Sequence, residues 1–111
     1  MDNASVVVLY ITTASADDAA RIGRALVEER LCACANVIAP VRSFYRWEGR
    51  IQDDREAVLI AKTDAGKVEA ATVRIKSLHS YELPCIVALP VSGGNADFLE
   101  WVARETGSAS E

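Results

Sequence analysis

The sequence predicts a single α+β domain in which two helices pack against one face of a four-stranded antiparallel sheet. Half of the 111 residues are apolar, which is enough for one hydrophobic core. The apolar runs VVVLYIT and AVLIAK have the β-branched composition of buried strands. Strand and helix patterns alternate in the order βαββαβ, followed by a final helix. We therefore expect one domain over residues 1–106 and a disordered tail at residues 107–111.

The first strand and the first helix are predicted from adjacent patterns. Residues 6–12 are apolar on both alternating sides, as in a central strand that is covered on both faces, or on one face together with a contact between copies of the chain. Ser15 and Asp18 have the spacing of a capping box with a shortened acid, so a helix is expected to start there. Its buried stripe is predicted from the apolar and small residues at helical spacing, which are Ala19, Ile22, Gly23, Leu26 and Val27.

The next segment predicts an unusually long hairpin. An extended pattern covers residues 32–47, far more than the roughly 5 to 6 residues of an ordinary strand. Pro40 marks a bend or an unpaired edge position within it. A turn at residues 48–49 then leads into a return strand, which starts at about residue 50 and ends in the apolar run at residues 57–62.

The remaining elements complete a ferredoxin-like sandwich. Asp64 is expected to cap a second helix, Pro84 prevents its continuation, and residues 85–91 form the last strand before a short final helix. The second helix buries Val68, Ala71, Ile75 and Leu78, and the final helix carries Phe98, Leu99, Trp101 and Val102. With right-handed crossovers this order makes the first and third strands central and the other two strands the edges.

The length of the hairpin predicts contact between copies of the chain. Its strands extend past the first strand, so half of the hairpin would lack a sheet partner, with Phe44, Tyr45 and Trp47 near its tip. A long edge that carries aromatic side chains promotes aggregation unless it is paired or covered. We therefore expect the overhanging part to pair with other copies in a closed ring.

Composition excludes several classes of partner. The net charge of −4 offers no electrostatic reason for binding nucleic acid or an anionic membrane. No apolar run approaches the roughly 18 residues of a membrane span, and the start MDNAS lacks the basic and apolar layout of a secretory signal. We expect a cytoplasmic protein, in which three cysteines are thiols or ligands and form no disulfide framework.

Metal ligation is one of two interpretations for the cysteines and the single histidine. Cys32 and Cys34 would point to the same side of an extended chain and could share a soft ion such as Cu(I), but both also suit a buried core. His79 ends the second helix, where it is either a C-terminal cap or a soft-metal ligand or proton donor. Cys34, His79 and Glu82 could be written as a nucleophilic set, but nothing in the sequence brings them together, and the GxSxG, Walker and GxGxxG motifs are not present.

Five segments in order carry a resemblance to a known family. They are LCACAN (31–36), SFYRWEGRI (43–51), AVLIAKT (57–63), HSYELP (79–84) and FLEWV (98–102). On these segments the chain resembles the CutA family of divalent-cation tolerance proteins. The resemblance implies a cytoplasmic homotrimer linked to tolerance of copper and other divalent metals, with no required cofactor and no catalysis.

The resemblance also implies where ligands would bind. Clefts between subunits, similar to those of PII signalling proteins, would be lined by Lys62, Tyr81 and Glu82. The alternative function that follows from such clefts is a PII-like binding or signalling module. The candidate metal ligands are His79, Cys34 and Cys32, of which Cys32 is chosen for its thiol and its spacing from Cys34 and not from the resemblance. Three features depart from the family pattern. Cys32 replaces the commoner alanine, Ser80 replaces a proline after the histidine, and residues 10–12 lack a cysteine that some members have.

Overall fold

The computed structural model describes residues 5–107. Its strands are β1 (Val6–Thr13), β2 (Cys34–Trp47), β3 (Arg50–Asp64) and β4 (Ile86–Pro90), and its helices are α1 (Ala16–Glu28), α2 (Val68–Leu78) and α3 (Ala96–Glu105). This order confirms the predicted series of elements. The tail predicted to be disordered falls largely on residues 108–111, which lie outside the described residues.

The four strands form one antiparallel sheet in the order β2-β3-β1-β4. The prediction that the first and third strands are central is therefore confirmed. Helices α1 and α2 cover one face of the sheet, where the largest side chains of the core are fully buried. These are Leu9, Ile11, Ile22, Leu26, Leu59 and Ile75.

Helix α1 begins and packs as its sequence predicts, with one exception. The hydroxyl of Ser15 accepts a hydrogen bond from the backbone N–H of Asp18 at 3.1 Å, which satisfies one free donor of the first turn. A Cβ atom on Gly23 would lie 2.9 Å from Cδ1 of Leu59, so the glycine allows the helix to approach the sheet closely. Val27, predicted as part of the buried stripe, is 38% exposed because it lies at the end of the helix beside the edge strand.

Strand β2 starts later than the alternation predicted. The expected start was Cys32, but the backbone N–H of Cys32 donates to the carbonyl of Leu26 at 3.1 Å, so this residue still lies in the turn that closes the end of α1. Cys32 and Cys34 are therefore not neighbours on one side of a strand. An irregularity in the pairing between Ile38 and Val41 coincides with the bend predicted at Pro40.

The hairpin overhangs the sheet as predicted. Strand β3 pairs with β1 only from Ala57 onwards, and its first half pairs with β2 alone. The turn at Glu48 and Gly49 has positive φ angles of 51° and 79°, which suit a tight hairpin turn. Phe44 and Ile51 on the overhang are 64% and 62% exposed, so large apolar side chains there face solvent in the single chain.

The boundaries of the later elements differ slightly from the prediction. Asp64 caps a 3-10 turn at Ala65–Lys67 that precedes α2, since its carboxylate accepts from the N–H of Gly66 at 2.9 Å. Strand β4 omits Cys85, which is exposed. None of the helices within residues 5–107 is long and apolar enough to cross a membrane.

The second face of the sheet is only partly covered. Helix α3 packs over one end of it, where Leu99 and Val102 form a second small core with Val6 and Ala33. Elsewhere the pairing places four apolar side chains on this face, each more than a third exposed. They are Tyr10, Ile38, Val87 and Leu89. The uncovered face is continuous with the overhanging hairpin.

Candidate functional site

A groove of about 670 Å³ lies where the overhang begins, between the hairpin and the loop that joins α2 to β4. We call it the hairpin groove. Its lining consists of residues 43–47 from β2, residues 80–83 and Cys85 from the loop, and Thr12 and Glu56. The groove therefore contains aromatic side chains, carboxylates and a thiol that the sequence places far apart.

A buried carboxylate is the central polar group of the groove. Glu56 is only 8% exposed, and the hydroxyl of Tyr81 donates to its Oε2 atom at 2.6 Å. Within residues 5–107 no second hydrogen bond reaches this carboxylate. Burial, followed by the hydrogen bond to Glu56, raises the pKa of Tyr81 well above its ordinary value of 10.0. The phenol therefore stays protonated and acts as a donor at neutral pH.

A second phenol and carboxylate pair stands further out on the same face of the hairpin. The hydroxyl of Tyr45 donates to Asp54, and this hydrogen bond raises the pKa of the phenol. Asp53 lies on the opposite face, where Arg42 binds both of its carboxylate oxygens at 2.9 Å. The three acidic residues of this stretch, Asp53, Asp54 and Glu56, are therefore divided between two faces.

His79 uses both ring nitrogens within the chain. The backbone N–H of Tyr81 can only donate, so Nδ1 accepts at 3.1 Å, and Nε2 carries the proton that is donated to the carbonyl of Thr12 at 2.7 Å. The backbone N–H of His79 also caps α2 by donating to Ile75 at 2.9 Å. In this arrangement the ring holds the loop against β1, and a metal ion would have to displace one of these bonds.

The two cysteines of the CAC segment occupy different environments. Cys32 is 1% exposed in the core, and burial, with a smaller effect from Cys34, raises the pKa of its thiol to about 12. Cys34 is half-buried and pairs with Lys62, whose ammonium group donates to Asn36 at 2.8 Å. A soft metal binds the thiolate, whereas Cys32 is buried and its raised pKa keeps it as the neutral thiol. Of these two cysteines, only Cys34 is therefore accessible as a ligand.

The cysteine pair and the histidine lie at opposite ends of the sheet. Lys62 is level with Val8 on β1, whereas His79 contacts Thr12 on the same strand. Four residues of a strand span about 13 Å. Among residues 5–107, no group of three or more His, Cys, Asp or Glu side chains is placed to hold a metal. A metal site in one chain is therefore not built from the predicted ligands.

Comparison with known proteins gives the family. A profile of the family described as CutA1 divalent ion tolerance protein matches residues 7–105 of the chain. The chain belongs to this family. The divalent-cation tolerance protein CutA of Thermus thermophilus is 43% identical over 100 residues, which are 90% of this chain and 97% of that protein. Human protein CutA is 40% identical over 107 residues, which are 96% of this chain but only 60% of the human protein.

The fold agrees with solved structures of the CutA1 family. One is described as the periplasmic divalent cation tolerance protein CutA from Archaeoglobus fulgidus, with a TM-score of 0.88 and 38% identity. The match covers 91% of this chain and 98% of that chain. This likeness confirms the α+β fold that the sequence predicted.

In this CutA1 chain, the predicted site residues form two separate groups. Tyr81 and Glu82 line the hairpin groove and His79 adjoins it, whereas Cys34 and Lys62 lie at the far end of the sheet. The sequence-based prediction missed Glu56 as a buried group. The sequence feature that could have identified Glu56 is its position directly before the apolar run of the third strand. A carboxylate at the entry to a buried strand needs a hydrogen-bond partner.

Proposed function

We propose that this chain acts as a homotrimeric divalent-cation tolerance protein that binds copper or another divalent metal weakly, as cargo, and catalyses no reaction. The observation that carries the proposal is the overhanging hairpin. Backbone groups along the outer half of β3 pair only with β2, and exposed apolar side chains cluster there and on the uncovered sheet face. A second and third copy that pair with these edges would cover both features in a closed ring.

Metal binding in this proposal depends on ligands from more than one copy. A single chain offers Cys34 as a half-buried soft thiol, whereas both nitrogens of His79 are engaged. Thiolates favour Cu(I), and a soft ion held by one or two ligands binds more weakly than one in a complete site. We therefore expect weak binding in which Cys34 contributes more than His79 or Cys32.

The oligomeric state is tested by size-exclusion chromatography with light scattering. We expect a mass three times that of one chain, independent of dilution over the micromolar range. The double variant Phe44→Lys and Ile51→Lys should shift the mass toward that of one chain. In this variant two charged side chains would lie in the part of the hairpin that other copies cover. Substitution of Val73 by lysine is the control, since that exposed side chain lies on α2. A monomeric native protein would exclude the ring.

Metal binding is tested by calorimetric titration of the reduced protein with Cu(I) and Cu(II). We expect Cys34→Ser to weaken Cu(I) binding strongly and Cys85→Ser, at an exposed thiol, to change it little. His79→Ala should have an intermediate or small effect, because the ring is engaged within the chain. Absence of saturable binding, or binding that is unchanged in Cys34→Ser, would contradict the ligand assignment.

A second candidate function is a PII-like binding or signalling module. The observation in its favour is the hairpin groove, whose 670 Å³ suits a small molecule. A thermal-shift screen with metabolites distinguishes it from the first proposal. A ligand present at 100 times its dissociation constant should stabilise the protein by about 2.7 kcal/mol. No stabilisation by any metabolite would leave only the metal-dependent role.

A cytoplasmic location is also part of the proposal. Cys32, Cys34 and Cys85 are all free thiols, as is usual in a reducing compartment. The Archaeoglobus relative, in contrast, is described as periplasmic. Cell fractionation with an antibody against the chain tests this point, and recovery in a periplasmic extract would refute it.

A further inference from the structure

We propose that His79 and Tyr81 brace the hairpin at the point where it leaves the sheet, and that His79 is the residue that positions Tyr81 on Glu56. We call the contacts of these two side chains with Thr12 and Glu56 the hairpin brace. The brace consists of hydrogen bonds within one chain. Its effect on the closed ring rests on the proposed function, whereas the brace itself does not.

The chain bends at the base of the hairpin. Strand β3 pairs with both β1 and β2 from Ala57 onwards, and with β2 alone before that residue. The register leaves residues 39–40 of β2 opposite Ala57 alone. Such a bulge interrupts the ladder, bends the strand and increases its twist. Strand pairing therefore holds the direction of the overhanging half less firmly here than within the sheet.

The hydrogen bond between Tyr81 and Glu56 lies at this bend. Glu56 is the last residue before pairing with β1 begins, and its buried carboxylate accepts from the Tyr81 hydroxyl at 2.6 Å. Within residues 5–107, no other side-chain hydrogen bond joins residues 41–56 to an element outside the hairpin. The loop after α2 therefore holds the hairpin at one point, beside the bulge.

The ring of His79 determines where Tyr81 can reach. Its Nε2 atom donates to the carbonyl of Thr12 near the end of β1 at 2.7 Å, and its Nδ1 atom accepts from the backbone N–H of Tyr81 at 3.1 Å. A side chain that accepts from the N–H two residues later closes a tight turn, as asparagine does in an Asx-turn. The two rings also pack, with centroids 4.8 Å apart. His79 thus acts on the hairpin through Tyr81.

The cap of α2 does not account for this ring. The bond that His79 donates to Ile75 at the helix end comes from its backbone N–H, which every residue except proline provides. The imidazole adds one contact with β1 and one with the turn, and both are lost in alanine.

The link between His79 and Tyr81 is tested by urea denaturation of native protein, His79→Ala, Tyr81→Phe and the double variant at one concentration. Tyr81→Phe should lower the midpoint less than about half as much in the His79→Ala background as in the native chain, because the phenol has already left the carboxylate. His79→Asn keeps an acceptor for the Tyr81 N–H, so in this background more than about half of the native shift should return. Equal shifts in all three backgrounds would overturn the proposal.

The effect on the hairpin is measured by amide hydrogen exchange with mass spectrometry. In His79→Ala and in Tyr81→Phe, residues 41–56 should exchange at least about threefold faster than in the native protein, whereas residues 7–10 of β1 should change little. Ile22→Val is the control, because it weakens the core under α1 without touching the brace. An equal acceleration in Ile22→Val would refute the brace. If His79→Ala does not fold, unchanged exchange in Tyr81→Phe alone is enough to refute it.

The brace also has a consequence for the proposed ring. A hairpin without a fixed direction must lose more conformational freedom when it pairs with a neighbouring copy. In a dilution series followed by light scattering, His79→Ala should dissociate at a protein concentration at least about tenfold higher than Ile22→Val. Equal dissociation of the two variants would refute this effect of the brace. A monomeric native protein would refute the ring, and the urea and exchange measurements would still decide the brace.

Discussion

Replacement of Tyr81 by phenylalanine tests whether the buried carboxylate of Glu56 depends on its single phenol. Phenylalanine keeps the ring but removes the hydroxyl that donates at 2.6 Å, and the structure offers this carboxylate no other donor within residues 5–107. A hydrogen bond to a charged group contributes about 1.5 to 3 kcal/mol, and a buried acceptor without a partner loses that amount. We therefore expect the free energy of unfolding to fall by about 2 kcal/mol.

The assay is urea denaturation followed by circular dichroism at one fixed protein concentration, because oligomer stability depends on concentration. With a slope of about 1 to 3 kcal/mol/M, the midpoint should move down by roughly 1 M. Tyr45→Phe is the matched control, since it removes a phenol that donates to the exposed carboxylate of Asp54. Its midpoint should hardly change, because water replaces the lost donor at an exposed site.

A double variant separates the charge from the packing. When Tyr81→Phe is combined with Glu56→Gln, no buried charge is left without a partner. The free energy of unfolding should therefore fall by less than the sum of the decreases in the two single variants. Equal midpoints for Tyr81→Phe and Tyr45→Phe, or additive losses in the double variant, would refute the reasoning.

Three further predictions concern pH, thiols and packing. Folding raises the pKa of Tyr81 above its unfolded value of 10.0 and that of Cys32 from 9.0 to about 12. The stability linked to these two protons is complete below the unfolded pKa values and is lost as the pH rises through the folded ones. Urea midpoints should therefore fall from pH 9 upwards, and less steeply in Tyr81→Phe; a flat profile would contradict this. Titration with Ellman's reagent at pH 8 should modify exposed Cys85 first and half-buried Cys34 more slowly, whereas buried Cys32 should react only in denaturant. Rapid reaction of all three thiols would argue against the buried position of Cys32. Gly23→Ala should destabilise by about 1 kcal/mol, because overpacking against Leu59 outweighs the gain in helix propensity, whereas Gly93→Ala, with open space around it, should be nearly neutral; a stabilised Gly23→Ala would show that the core can adjust.

The elements that local patterns define were predicted well. The apolar run of β1, the Ser15 cap of α1 and the place of Gly23 on the buried stripe all agree with the structure. The first two depend on residues within a few positions of one another, so the sequence contains the whole signal. The predicted start of β2 was wrong. Alternation alone cannot show that the backbone of Cys32 still donates to the end of α1.

The candidate site was predicted only in part. The loop residues Tyr81 and Glu82 were identified, but the partner of Tyr81 was not, because Glu56 lies 25 residues earlier on another element. Likewise, His79 was left open between a helix cap and a ligand, and its ring contact with Thr12 spans 67 residues. Such contacts depend on strand register and on the path of the loop, which no local pattern encodes.

The sequence by itself therefore determined the family, the order of elements and the overhanging hairpin, since these follow from the spacing of apolar residues and turns along the chain. Only the tertiary structure decided which polar groups meet. It separates Cys34 from His79 by the length of the sheet and brings the carboxylate of Glu56 to the hydroxyl of Tyr81. The physical reason is that burial sets the approximate positions of the elements, whereas a hydrogen bond requires two particular atoms to lie within about 3 Å.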